Sequence, residues 1–187
     1  MVLKSSLLPE KSSIAPPALS IKFPSPQGQK LDEKGRLSMA AGAELNLRSP
    51  TGDEIGFRDK SYIVLSKLEQ DGQRSNTQID LFQGKIQVKV QKLEKESSFI
   101  VKTPSAVAGV RGTLFVCEVS VNGSTQVIVL GGEVGMRDPG GRLPAASVMP
   151  GQVARVSPGG TVVVRTVPAL VQMIQQLATQ KKAEGPD

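Results

Sequence analysis

Three features of the chain predict an all-β fold, as a β-sandwich or a β-solenoid-like arrangement. From Leu37 onward, short apolar segments alternate with turn residues at intervals of about eight to twelve residues, the spacing of stacked sheets. The apolar residues are dominated by Val, Leu, Ile and Ala, with aromatics only 3% and no Trp, while 19 glycines and 13 prolines supply turns. In Lys85-Ile86-Gln87-Val88-Lys89-Val90, the residues Ile86, Val88 and Val90 share one face and Lys85, Gln87 and Lys89 the other, as in a half-buried strand. A length of 187 residues suits one domain with a real core, plus tails.

Residues 1–30 are rich in Ser, Pro and Lys, and Pro16, Pro17, Pro24 and Pro26 deny the backbone donors and dihedrals, so a flexible arm is expected there. The all-β domain is expected over 31–167, its first strands at 44–48, 54–58 and 62–67. The polar stretch 67–77, with Asp71-Gly72 as a turn signal, reads as an exposed connection. Strands at 85–90 and 99–102 follow. The run 113–119 is apolar on both faces in its first half, so it is expected at the centre of a sheet. Asn122-Gly123 suits a type I′ turn joining it antiparallel to 126–130.

Gly131-Gly132 permits a sharp change of direction into 134–137, and further turns at 138–141, 150–151 and 158–160 bracket strands at 152–156 and 161–166. The order of residue types in Leu81-Phe82-Gln83-Gly84-Lys85-Ile86 returns in Val129-Leu130-Gly131-Gly132-Glu133-Val134, which suggests equivalent corners built twice. Beyond Pro168 the period changes. Leu170, Met173, Ile174 and Leu177 share one helical face, and a short helix is expected over 169–181 within a helix-and-tail segment 168–187, its stripe docked on its own domain.

Between these strands, Thr103-Pro104-Ser105-Ala106-Val107-Ala108-Gly109-Val110-Arg111-Gly112-Thr113 interrupts the pattern with small residues, two glycines and one arginine. Such a run lets backbones approach closely, and Gly109 and Gly112 permit dihedrals closed to other residues. Arg111 reads as a partly buried guanidinium that ties the bend to carbonyls or to Glu118; the competing reading is a grip on a partner's carboxylate. Cys117, in an apolar strand, reads as a buried inert thiol.

The absence of His and the single Cys remove His-based triads, His-ligated metals, zinc clusters and any intramolecular disulfide, and no paired-acid or Ser-Lys arrangement stands out. A non-enzymatic protein without cofactor or metal is expected. The net charge of +6 suits an anionic partner such as a cell-wall glycan, and Lys85, Lys89, Lys92 and Lys95 are the candidate contacts. The alternative is that lysines on an outer strand face guard against edge-to-edge aggregation. Scattered basic residues, few aromatics and no nucleic-acid motif argue against a specific nucleic-acid partner. No stretch is long and apolar enough to cross a bilayer as a helix, and Pro9, Glu10 and Lys11 cut off any signal-peptide core.

The run Phe99-Ile100-Val101-Lys102-Thr103-Pro104, continued by Ala106-Val107-Ala108-Gly109-Val110-Arg111-Gly112-Thr113-Leu114-Phe115, resembles the signature of the FecR domain family. The flanking strands around Leu81–Ile86, Val127–Val134 and Pro150–Ala154 fit the same order, so the likeness spans roughly residues 37 to 165. The resemblance implies a bacterial all-β domain of the periplasm or cell envelope, engaged in protein interaction or ligand sensing in signal transduction. Its namesakes relay the state of an outer-membrane siderophore receptor to a sigma factor. The sigma-binding region and membrane helix of those regulators are not seen here, so direct sigma-factor control is not expected. In this reading Thr103, Pro104, Ala106, Val107, Gly109, Val110, Arg111, Gly112 and Thr113 are structural, the partner is an envelope protein or peptide, and binding of a polyanion or cell-wall glycan is the alternative.

Overall fold

The computed structural model of the chain describes residues 19–20, 35–49, 51–71, 74–93, 96–141 and 144–183. In chain order these form β1 (Leu19–Ser20), β2 (Arg36–Ser38), β3 (Glu44–Arg48), β4 (Glu54–Asp71), β5 (Arg74–Lys89), β6 (Ser98–Lys102), β7 (Val107–Val110), β8 (Leu114–Val119), β9 (Thr125–Gly131), β10 (Val134–Arg137), β11 (Ala146–Val148), β12 (Gln152–Val156), β13 (Val162–Thr166) and α1 (Pro168–Ala183). The all-β class and the C-terminal helix follow the sequence expectation. The expected arm over 1–30 lies outside the described residues except for β1, which pairs in parallel with β2, Leu19 opposite Leu37.

Two long strands organise everything else. β4 and β5 form one antiparallel hairpin running from Glu54 opposite Lys89 to Asp71 opposite Arg74. The expected exposed connection over 67–77 is therefore corrected: all but Gly72 and Gln73, which lie outside the described residues, belong to paired strands. Alternation explains the difference. Ser75, Thr77 and Ile79 point inward while the polar residues between them face out, and cross-strand pairing satisfies the backbone that a loop would leave to water.

The hairpin is bent, and the bend divides the sheet into two leaves. On one side of the bend, β3, the first part of β4, the second part of β5, β8, β9, β12 and β13 form leaf A; on the other, β1, β2, the rest of β4 and β5, β6, β7, β10 and β11 form leaf B. Because β5 pairs with β6 along its first half and β8 along its second, the leaves stay continuous through the hairpin and fold over a single core. Of the two arrangements left open by the sequence, this is the sandwich, continuous along one side.

The corner lies at Gln83-Gly84, and the inward positions of β5 change parity there, from Ile79 and Leu81 to Ile86 and Val88. Gly84 has φ +101°, and a Cβ there would lie 2.5 Å from the Ser61 Cα, so no other residue fits. Ser61 pins the facing strand: its hydroxyl donates to the Arg58 carbonyl (2.7 Å) and accepts from the Lys85 amide (3.2 Å).

Phe57, Phe99 and Phe115 are fully buried with Leu37, Ile63, Ile79, Leu81, Ile86 and Met136. Each such side chain contributes about 1.5–3 kcal/mol on leaving water. β8 lies between β5 and β9, inside leaf A as its apolar sequence predicts. The turn from β8 to β9 is corrected in type. Only Gly123 has positive φ (+79°), whereas a type I′ turn needs it at Asn122 as well. Asn122 instead uses its side-chain oxygen to accept from the Ser120 hydroxyl (2.6 Å) and the Ser124 amide (3.0 Å), which closes a longer loop.

Candidate functional site

The Thr103–Thr113 motif passes through the interior. It leaves β6 in leaf B, turns at Pro104-Ser105, forms β7 and then crosses to β8 in leaf A. The turn is tied by the Thr103 hydroxyl, which accepts from the Ala106 amide (2.9 Å). Ser105 reaches across the core, donating to the Val156 carbonyl (3.1 Å), while Thr125 shares hydrogen bonds with Thr103 (2.6 Å) and Ser105 (2.7 Å). All three hydroxyls are buried, so they hold the leaves together and satisfy one another, the condition for tolerating polar groups there. Ala106 and Ala108 are buried beside them, and their small size keeps the chain close.

The second half of the motif is a corner. Gly112 has φ +64°, and its carbonyl oxygen would sit 2.4 Å from a Cβ on Gly132, itself at φ +77°. The crossing from β7 to β8 therefore packs directly on the crossing from β9 to β10, and the Thr113 hydroxyl fastens the two by donating to the Glu133 carbonyl (2.9 Å). Gly132 and Gly84 are the equivalent corners that the repeated residue order suggested, each at a passage between leaves. Gly109 is corrected: it has no positive φ, and a Cβ there would meet nothing nearer than 4.0 Å.

Arg111 is likewise corrected. It is exposed at the corner and has no hydrogen-bond or ion-pair partner among the described residues, while Glu118, its expected partner, faces Lys85 at 3.9 Å. The Gly112 turn throws the side chain outward, away from the carbonyls it was expected to bind. Val107 and Val110 are buried on β7, and Pro104 takes the turn.

Two of the four candidate lysines have acidic neighbours. Lys85 faces Glu118, and Lys89 lies 3.6 Å from Glu54, which also binds Arg48 at 2.8 Å. The hydrogen bond from Arg48 and the charge of Lys89 hold the Glu54 carboxyl below the usual carboxylate range. Lys92 is exposed in the segment beneath Gly112, and Lys95 lies outside the described residues. Cys117 is fully buried, and desolvation, with the charge of Glu118 behind it, pushes its thiol up to about 12. It is not a nucleophile in the folded chain. Among the described residues, no group of three or more acidic, Cys or His side chains is placed to hold a metal ion.

An open edge of the sandwich completes the candidate surface. Leaf A ends in β13 and leaf B in β11, and among the described residues each has one unpaired side. Between them lies a groove of about 440 Å³ lined by Pro144, Ala145, Ala146, Gly160, Val162 and Val164. Val162 and Val164 face the core side of β13 yet stay half-buried, because leaf B ends before covering them. Val163, on the opposite face, is 41% exposed. By contrast β3, the other edge of leaf A, alternates Glu44, Asn46 and Arg48 outward and is guarded by charge. Sequence reasoning found the strand but not the groove, since which strands end a sheet depends on pairings between distant segments. The run Val162-Val163-Val164, broken by one charge at Arg165, was the available signal.

The helix leaves from this same edge. Val171 packs on Gly151, where a Cβ would come within 2.4 Å of it, and Val167 donates to the Gly151 carbonyl (2.9 Å). After that first turn contact is lost: Leu170 and Ile174 are half-buried, Met173 is 42% and Leu177 57% exposed. The expected docking of the whole stripe is thus corrected to docking of its first turn. No helix among the described residues is long and apolar enough to cross a membrane.

Among solved structures, two of a protein from Parabacteroides distasonis ATCC 8503, assigned as an anti-sigma factor and determined at 2.50 and 1.65 Å, share the fold with a TM-score of 0.58. They are 16% and 17% identical, and the match covers 70% of this chain but only 59% of theirs. No curated protein matches the chain in sequence. The profile of the family described as FecR protein matches residues 35–135, a stretch that takes in the bent hairpin, the Thr103–Thr113 crossing and the Gly132 corner, and the chain belongs to that family.

Proposed function

We propose that this FecR-family chain is a non-enzymatic interaction module in signal transduction at a bacterial cell envelope, and that it accepts an extended protein segment along the β11–β13 edge. The observation that carries this reading is the conjunction of two strand edges, each unpaired on one side among the described residues, with an apolar groove between them. Main-chain hydrogen bonds to such an edge supply affinity, and alternate side chains entering the groove supply selectivity. Family membership and the regulatory assignment of the structural neighbours support a role in signalling, and the FecR family membership supports an envelope location.

In this proposal the domain spans 31–167, with 168–187 appended. Thr103, Pro104, Ala106, Val107, Val110, Gly112 and Thr113 serve the fold and do not contact the partner, whereas Gly109, with open space for a Cβ, and Arg111, exposed and unpaired among the described residues, are tolerant positions of the same motif. Lys85 and Lys89 are occupied by carboxylates, which favours the edge over the basic face as the binding surface.

Photo-crosslinking tests the reading. A photoreactive residue at Val163 is expected to capture an envelope protein through an extended segment, and the same probe at Lys89 is not. Adducts confined to Lys89, together with binding to anionic glycan that collapses as salt rises, would replace this proposal with the polyanion reading.

A further inference from the structure

Three features at one end of the molecule lack a partner among the described residues: the free side of β13, the β11–β13 groove and the outer turns of α1. The helix is the most demanding of them. Held only at its root, a helix of 16 residues is marginal in water, and its stripe ends in the exposed Met173 and Leu177. The strand is nearly as demanding, because Val162-Val163-Val164 has high β-propensity and no proline, and Arg165 is the strand's one charge.

We infer that a second copy of this chain covers this edge, with β13 paired antiparallel to its twin about a twofold axis near Val164 and each α1 stripe lying against the groove of the other copy. The inference rests on the edge being a docking surface, as proposed above; the second copy covers it until the envelope partner, competing for the same edge, displaces it. The symmetry follows from chain direction. Antiparallel pairing of two such strands sets Thr166 of one beside Val162 of the other, so the root of each helix emerges next to the Gly159–Thr161 turn that borders the other groove. One operation therefore satisfies strand, groove and helix reciprocally, as a twofold interface must.

Charge permits the arrangement. The groove lining is uncharged, and Leu170, Met173, Ile174 and Leu177, which would meet it, are apolar. Stable dimers bury about 1,600 Å² in total, and the strand pair and the two helix stripes are the surfaces that would supply it here.

Light scattering on the full chain across a dilution series is expected to give twice the chain mass at high concentration. The double variant Met173→Glu/Leu177→Glu should weaken self-association at least tenfold. Both residues are already exposed, so an unchanged far-UV spectrum will confirm that this variant folds. A Val164→Cys chain should oxidise to a covalent dimer, a reaction that the buried Cys117 does not share, and the two helix substitutions should suppress it. A chain that stays monomeric throughout the series overturns the inference, as does a dimer that survives the helix substitutions and fails to crosslink at position 164. Flotation of a monomeric chain with phosphatidylglycerol vesicles, lost in the double variant, would assign the stripe to a lipid surface and also overturn it. A monomer that still crosslinks an envelope protein at Val163 would leave the proposed function standing without this inference; a dimer that captures nothing would do the reverse.

Discussion

The corner built by Gly112, Gly132 and Thr113 and the edge built by β11, β13 and α1 use opposite physics. At the corner, backbone meets backbone at distances that exclude a single methyl group, and each nearby buried hydroxyl has a partner. At the edge, valines stand half-covered, a strand has a free side and a helix leaves the body after one turn. The family signature coincides with the first region and misses the second. The family match thus takes in the passages between the two leaves, while the edge proposed above as the docking surface is built from residues beyond it.

Substitutions sharpen that contrast. The largest effect is expected at the corners: Gly132→Ala, combining positive φ with a clash against the Gly112 carbonyl, should cost about 4 kcal/mol in urea unfolding. Gly141→Ala, with φ +64° but open space around it, should cost only about 1 kcal/mol. Equal losses would mean that the packing of the two crossings is not what the glycine serves. Next comes the hydroxyl cluster. Thr125→Val keeps the shape but takes one hydrogen bond from each of Thr103 and Ser105, which keep those to Ala106 and Val156, for a loss of about 2 kcal/mol; a neutral outcome would show that the cluster is dispensable.

Cys117 gives an effect that is absent at neutral pH and grows only as pH rises. Burial pushes its folded pKa up to about 12, well above that of an exposed thiol, so the unfolded chain releases the proton first. The stabilisation is complete below pH 9 and is lost as pH rises toward 12, with a limiting slope of about 1.4 kcal/mol per pH unit. Melting of wild type and Cys117→Val should therefore converge or cross as pH rises from 9, and parallel curves would contradict the burial. The smallest effect is expected at Arg111. Exposed and unpaired among the described residues, it should tolerate Ala within about 0.5 kcal/mol, despite its place inside the signature. A marked drop in melting temperature would restore the tying role that the sequence suggested.

Legibility in the sequence follows the range of the interactions. Alternation in 85–90, the apolar run at 113–119 and the stripe after Pro168 report local periodicity, and each yielded its element. The repeated glycine order around Gly84 and Gly132 even located both corners, because a positive φ leaves a residue-level trace. The tip of the β4–β5 hairpin does not read as strand because Asp71-Gly72 and its polar neighbours look the same whether they end a loop or a long ribbon; only the pairing of β4 with β5, and of β5 with β6 from Asn76 onward, decides. Arg111 was misplaced for a related reason. Its surroundings suggest burial, but the direction of the side chain is set by Gly112 turning left-handed. The groove was invisible, since Ala145 and Val164 are distant in sequence and become neighbours only when both leaves end at the same side.

The central claim is that rigidity is concentrated where the motif crosses between leaves and is lowest where the helix departs. Native-state hydrogen exchange on the Met173→Glu/Leu177→Glu chain tests it without interference from self-association. Amides of 106–116 and 127–136 should exchange only through global unfolding, and those of 172–183 within the shortest labelling time, as expected for a frayed helix. Early exchange across 106–116, or protection of 172–183 equal to that of the core, would contradict the account.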